Sequence, residues 1–280
     1  VQVSALLMGL RVRGEAPSEI AGGVRALRRV MVPVPVSEGE GVVDTCGTGG
    51  GAVTTFNIST AAAIVAAATG VRIAKHGNRS FSSRCGSADV LEALGVRIEL
   101  SPEQMGAVLE ETGIVFMFAP LLHPAMRHVG PVRRELAMPT IMNVLGPLPV
   151  PAGARQRPVA VDEPGLDEIS PLGITTGVEV QHGELRPVRI DPADYGWTGL
   201  TADDLAGGDP ADNARIIREI LAGRTRGAAR AAVELNAGAA IYVSGRAASM
   251  QEGVERASAA IEEGAALATL ERLRLATHAV

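Results

Sequence analysis

The chain has 280 residues, 46% of them hydrophobic, with a net charge of −5 and a pI near 5.6. That length and apolar content can bury a substantial core as one large or two unequal domains, and exclude a disordered chain. With one Trp, two Tyr and four Phe there is neither a basic face nor a set of stacking rings for nucleic acid, so small anionic ligands must be captured by local geometry.

Residues 1 to 31 read as helices. VQVSALLMGL is followed by Pro17 and Ser18 opening SEIAGGVRALRRVM, whose Ile20, Val24, Leu27 and Val30 or Met31 share one face. The chain begins inside a helical pattern without an initiating Met, so residues are expected ahead of Val1. VPVPVSEGEG is a Pro- and Gly-rich connector suited to a domain crossing. From residue 42 apolar strands alternate with helices: VVDTC, a helix over 59–69, VRIAK, a helix over 87–94, VRIEL, a helix over 102–112 and IVFMFA. This alternation predicts an α/β fold with a mostly parallel sheet flanked by helices. Ser101-Pro102 and Gly113 punctuate one helix as cap, first-turn proline and C-terminal stop.

Asp44 to Thr60, DTCGTGGGAVTTFNIST, joins the end of a short strand to the start of the Ala-rich helix through Gly47, Gly49, Gly50 and Gly51. Glycines let backbone N–H groups approach a phosphate, and the helix start adds unpaired donors and the positive end of its dipole. The P-loop pattern fails because no Gly-Lys-Ser/Thr closes the loop. A loose G-x-G-x-x-A match at Gly47, Gly49 and Ala52 is not followed by a dinucleotide fold's acidic residue: the next strand, Val71 to Ala74, ends in Lys75, which suits phosphate better than ribose hydroxyls. The competing reading is an ordinary glycine turn.

A second polar loop, KHGNRSFSSRCGSADVLEALG, sets Lys75, Arg79 and Arg84 beside Asn78, Ser80, Ser82 and Ser83, with Ser87 or Asp89 capping a helix closed by Gly95. On neighbouring strand ends, where open α/β sheets bind ligands, the two loops form a double anion clamp; alone, the second is a solvated turn. HPAMRH and PVRREL read as two short amphipathic helices, whose arginines can pair with a carboxylate ligand or simply with surface acids. TIMNVLGPLPVPAGA contains a Gly146-Pro147 turn, and residues after Ala152 read as irregular up to Gly165.

Asp167 and Glu168 are a credible metal pair beside a diphosphate, since magnesium is usually held by one or two carboxylates plus substrate phosphates; the plainer reading is a solvated acidic pair. The C-terminal part is helical, with Asp209-Pro210 and the Ser249/Glu252 box as starts, and His182 and His278 as structural residues. Cys46 and Cys85 are too few and too widely spaced for a zinc cluster or a disulfide framework, so reduced thiols in a cytoplasm are expected. No apolar run is long enough to span a membrane.

Taken together, GTGG with TFNIST, KHGNR with GSADVLEALG, HPAMRHV, PVRREL, NVLGPL and GLDEIS, in this order, resemble the anthranilate phosphoribosyltransferase family over nearly the whole chain. The resemblance implies a small helical domain, residues 1–36 with about 122–137, beside a larger α/β domain, 37–121 with 138–280, usually paired as a homodimer through the helical part. It implies transfer of phosphoribosyl from 5-phosphoribosyl-1-diphosphate to the amine of anthranilate, with Mg2+ as cofactor and no single general base. Gly47, Gly50, Gly51, Thr55, Asn57, Ile58, Ser59 and Thr60 would hold diphosphate and ribose phosphate. Lys75, His76, Gly77, Asn78, Arg79, Ser80, Phe81, Ser82 and Ser83 would wrap the phosphoribosyl group, with Ser87 adding a contact. Asn78, Arg133, Gly146 and Pro147 would line the anthranilate channel near His76 and His123, while Ser59, Asp167 and Glu168 would hold the metal.

Three departures stand out. Gly51 replaces the family's usual Asp after GTGG, and Pro149-Val150-Pro151 replaces Thr-Asn-Pro after GPL. The family also carries a strand-helix-strand passage where this chain runs from RQRPVAV almost directly to DEPGLDEIS. A true loss there is expected to expose sheet edges and displace Asp167 and Glu168, so missing residues are the preferred explanation. Two other readings compete: a pyrimidine nucleoside phosphorylase-like enzyme using a single phosphate and no obligatory metal, and a catalytically silent relative that binds nucleic acid or a partner.

Overall fold

A computed structural model describes residues 1–37, 41–47, 55–80, 84–146, 148, 151–152, 166–181 and 183–280. Its centre is an Ala-rich helix. After α1 (Gln2–Arg13) and α2 (Pro17–Val30), α3 (Ile58–Ala68) is apolar on every side and buried from Ile58 to Ala67 apart from Ser59. A helix without a polar stripe must lie inside, and its small side chains let neighbours approach closely on all sides.

Against α3 lie β1 (Ile73–Gly77) and β2 (Ile114–Phe118), which pair in parallel from Ile73↔Ile114 to Gly77↔Phe118. Between them come α4 (Ser87–Ala93) and α5 (Pro102–Thr112), and after them α6 (Ala119–Leu122), a 3-10 turn (Pro124–His128), α7 (Gly130–Leu136) and α8 (Ile141–Leu145). Val43 adds a parallel bridge to Ile73, donating its N–H to Arg72 O at 2.8 Å while its carbonyl accepts from Ala74 at 2.9 Å. The chain therefore leaves Val43, β1 and β2 at one carboxyl edge, and all three exits fall within the expected motifs. β1 is covered on both faces, which is why even Lys75 and His76 within it are buried.

Downstream, β3 (Thr175–Gln181) and β4 (Glu184–Ile190) form an antiparallel hairpin. The rest is helical: α9 (Pro210–Leu221), α10 (Ala228–Val243), α11 (Met250–Glu262) and α12 (Ala265–Ala279). Among the described residues no helix is long and apolar enough to cross a membrane.

Most caps are the expected ones. Ser101 accepts from Gln104 N, Gly113 sits at φ 77°, and Asp209 accepts from Asp212 N. Four expectations change. VVDTC makes one bridge instead of a strand. VRIEL buries Val96, Ile98 and Leu100 yet pairs with no strand among the described residues; Arg97 N donates to Thr277 Oγ1 on α12 at 3.2 Å. The α4 cap is Gly86, with Asp89 accepting its N–H at 2.8 Å, while Ser87 turns back to Asn78 O. Val30 is exposed, although Ile20, Val24 and Leu27 do face inward.

Those three α2 residues join Leu7, Ile141, Met142 and Leu145 in a helical cluster separate from the main core, together with Val129, Val132 and Leu136. The cluster thus takes in α8, beyond the residue 137 at which the helical portion was expected to end.

α10 and α11 cross where Gly238 and Gly253 meet. A Cβ built on Gly253 would stand 2.3 Å from Gly238 O, a backbone atom that cannot step aside. Alanine in mid-helix ordinarily gains about 1 kcal/mol over glycine, but overpacking costs about 1–3 kcal/mol. Gly253→Ala is therefore expected to lower the melting temperature by roughly 2–6 °C. Gly22→Ala, whose Cβ would meet only the tip of Arg25 at 3.9 Å, should not lower it; a thermal melt by circular dichroism separates the two.

Candidate active site at the carboxyl edge of the parallel strands

Asp44 ties the first exit to the second. Its Oδ1 accepts the N–H of Cys46 at 3.0 Å and of His76 at 3.1 Å, so the DTC segment and the end of β1 are held in register by one carboxyl group. Its acidity is weakened, to a pKa of about 7, by burial, against the pull of Lys75 and the backbone donors. Lys75, 3% exposed, sends its Nζ to Thr45 Oγ1 and to Ser59 Oγ, both at 3.3 Å, and Thr45 Oγ1 donates to Ser59 O at 3.1 Å. The first turn of α3, the DTC segment and β1 are thereby locked around one ammonium group.

Asp167 and Glu168 arrive at this point from the other side. A Cβ on Gly47 would lie 3.1 Å from Asp167 O, 3.6 Å from its Oδ2 and 3.9 Å from Glu168 Oε1, so glycine lets the acidic pair approach this closely without crowding. Ser59 stands beside Glu168 and favours its charged form. Burial raises the pKa of Glu168 to about 8, with Asp167 adding repulsion and Lys75 opposing it. The pair is presented by a clamp that sequence reading missed: Asn236 on α10 accepts Ile169 N at 3.1 Å and donates to Ile169 O at 2.9 Å, while Leu166 and Ile169 are buried on either side. Asp167 and Glu168 therefore meet the first loop at Gly47, without the displacement expected of a true loss ahead of them.

Two half-buried acidic residues beside a hydroxyl, with one ammonium to balance them, make an oxygen-donor set that fits a divalent cation such as magnesium.

The second loop is built by close approach. A Cβ on Gly77 would meet Ser87 Oγ at 2.2 Å, and one on Gly86 would meet Ser80 N at 2.3 Å. Asn78 O accepts from Ala88 N and Ser87 Oγ, and Asp89 Oδ2 accepts from Ser80 N. Arg79 is exposed and turned outward, paired with Asp89 at 3.1 Å and Glu92 at 2.5 Å, its guanidinium 5.7 Å from the Phe118 ring centre. It serves as a strut from the loop to α4.

Other expected residues are placed differently from one another. Asn57 spends its amide on the protein, donating to Cys85 O at 3.2 Å and accepting from Asn213 at 2.9 Å; the buried Asn213 was a second miss, since nothing local in the sequence marks it. Ile58 is core, and its N–H goes to Phe56 O at 2.7 Å. Thr60 is buried with Oγ1 unpartnered. Thr55 forms a bridge to Ala206. His76 and His123 stand edge to face, 5.0 Å between ring centres, each buried with Nε2 unpartnered. Burial lowers both pKa values, that of His76 to about 3 with further repulsion from His123 and Lys75, so both are neutral at pH 7.

Arg133 on α7 is half-buried with no acidic partner among the described residues, and burial lowers its pKa. Gly146 caps α8. Gly50, Gly51, Phe81, Ser82, Ser83, Pro147, Pro149, Val150 and His182 lie outside the described residues. His278 is structural as expected, its Nε2 3.0 Å from Gly95 O.

Comparison with known proteins identifies the family of the chain. The glycosyl transferase family α/β domain matches residues 39–164 and 154–267, and the helical bundle domain of that family matches residues 1–31. An anthranilate phosphoribosyltransferase from Rubrobacter xylanophilus is 52% identical over 294 aligned residues, covering 96% of this chain and 85% of the relative. The chain belongs to the anthranilate phosphoribosyltransferase family. The family's Thermus thermophilus crystal structure superposes with a TM-score of 0.89 at 41% identity, covering 98% of this chain and 89% of that one. A Saccharomyces cerevisiae family member in complex with PRPP and Mg superposes with a TM-score of 0.84 at 26% identity, covering 99% and 85%. The Rubrobacter alignment is longer than the 280 residues of this chain, so that relative carries residues without a counterpart here. The α/β match breaks at 154–164, where the shorter connection was read from the sequence.

A carboxyl group whose pKa rises on folding favours the fold while protonated. For Glu168 the cost begins as pH climbs past the ordinary value near 4.5 and is complete near 8. Glu168→Gln removes that cost. In metal-free buffer at pH 8 the variant should be the more stable, by on the order of one to a few kcal/mol, with the difference shrinking toward pH 4.5. Melting both proteins across this range checks it, and a pH-independent gap would contradict the assignment.

Proposed function

We propose that this chain transfers the phosphoribosyl group of 5-phosphoribosyl-1-diphosphate to the amine of anthranilate, giving N-(5-phosphoribosyl)anthranilate and diphosphate, a step of tryptophan biosynthesis. Membership of the family supports the reading, and the observation that carries it is the meeting of Gly47, Ser59, Lys75, Asp167 and Glu168 at the carboxyl edge of parallel strands.

An aromatic amine is already neutral at pH 7 and needs no base. The barrier lies in breaking the C1–O bond, which leaves positive charge on the ribose and negative charge on the diphosphate. Magnesium bound by Ser59, Asp167 and Glu168 would supply charge neutralisation at the leaving group. Lys75 holds Ser59 and Thr45 in place, so the first turn of α3 is already set when the donor arrives. Gly47, Gly50, Gly51 and Thr55 to Thr60 frame the diphosphate side, within which Asn57 and Ile58 position backbone. The loop from Lys75 to Ser83, braced by Arg79 and Ser87, encloses the phosphoribosyl group. On the acceptor side, Arg133, without an acidic partner among the described residues, offers a guanidinium to the anthranilate carboxylate. The neutral His76 and His123 pair, with Asn78, Gly146 and Pro147, lines the channel without adding charge. The proposal includes magnesium as cofactor, a cytoplasmic setting, a homodimer and a helical unit of residues 1–36 with about 122–137.

Anthranilate is fluorescent, and its signal should fall only when phosphoribosyl diphosphate and magnesium are both present. Glu168→Gln and Ser59→Ala should each lower kcat by about 10²-fold or more, and His76→Ala and His123→Ala by less. Equal defects in all four, or turnover without magnesium, would refute the reading.

A further inference from the structure

Next to the oxygen donors lies a group of different chemistry. Asp44, Cys46 and His76 each offer one ligand atom, and these atoms lie within 4.8 Å of one another. They come from two exits of the sheet and are held together because Asp44 Oδ1 accepts from the N–H of both other residues. That leaves Asp44 Oδ2 buried and unpartnered, and Nε2 of His76, a residue only 4% exposed, is unpartnered too. Two residues that each keep a buried polar atom without a partner, and each bring a ligand atom within 4.8 Å of a thiol, call for a ligand. Cys46 Sγ makes only a 3.4 Å contact to Gly47 O.

The donors choose the ligand's chemistry. A carboxylate repels an anion, and a neutral imidazole and a thiol do not attract one. Magnesium prefers an all-oxygen octahedral shell, which the neighbouring acidic pair and Ser59 resemble and this set does not. One oxygen, one sulfur and one nitrogen suit a borderline-soft ion.

We infer that Asp44, Cys46 and His76 form a second cation site, for a thiophilic divalent ion such as zinc. On binding, the S–H proton of Cys46 leaves to solvent and a metal–sulfur bond takes its place. His76 contributes a nitrogen lone pair and Asp44 a carboxylate oxygen, and no electron changes hands. Because Cys46 precedes Gly47 and His76 precedes Gly77, an ion here joins the roots of both loops. Because His76 also lines the proposed acceptor channel, the site is tested by metal binding and not by turnover.

Cobalt is the probe. The purified chain should bind one Co2+ with a thiolate-to-cobalt charge-transfer band that zinc abolishes and excess magnesium leaves intact. Cys46→Ser should lose the band and Cys85→Ser keep it. His76→Ala should weaken cobalt binding at least tenfold, the low end of what losing even a supporting partner of a metal ligand costs. Should Cys46→Ser fail to fold, the native chain still decides: zinc, but not magnesium, should slow alkylation of Cys46 followed by peptide mapping. A native chain with no thiolate band, a band surviving in folded Cys46→Ser, or unprotected Cys46 would overturn the site.

Discussion

One buried ammonium group organises this site. Lys75 lies within a strand covered on both faces, and its charge is tolerable only because hydroxyls of Thr45 and Ser59 receive its protons and the carboxyls of Asp44 and Glu168 stand nearby. Those carboxyls need it in turn. Each is driven toward its protonated form by burial, and Lys75 is the cation that opposes this in both. The arrangement is electrostatically under-neutralised, with one ammonium opposing the desolvation of two carboxyls.

The same crowding explains the glycines. Gly47, Gly77 and Gly86 are needed less for unusual dihedral angles than for what a methyl group would strike: the acidic pair, Ser87 and Ser80 respectively. Each removes a side chain where two segments nearly touch, against backbone at Gly47 and Gly86 and against the Ser87 and Phe116 side chains at Gly77. Burying acids and leaving donors open costs stability, which the Ala-rich α3 and the tight Gly238–Gly253 crossing of α10 and α11 help to offset elsewhere.

Much of this was readable because the signals are local. Ser101, Gly113, Asp209 and the alternation around 58–118 follow from the residues in place. Reading failed where a partner distant in sequence intervened. VRIEL has strand periodicity, but Thr277, far along the chain, takes a backbone donor at Arg97. Asn213 and Asn236 look like ordinary helix residues, yet one locks Asn57 and the other presents the acidic pair. Arg79 read as a phosphate-facing cation and is a strut to α4. The hairpin of β3 and β4 falls in a polar stretch whose exposed faces carry little alternation.

Composition, glycine spacing and the ordered motifs by themselves determined an α/β chain with two anion-handling loops and an acidic pair, since backbone freedom, charge and helix starts are properties of neighbouring residues. Only the tertiary structure decided that Glu168 meets Ser59, that Arg133 keeps no acidic partner among the described residues, and that Asp44, Cys46 and His76 converge. Each of these depends on which strand ends share an edge, and that is settled by how the sheet and α3 pack together.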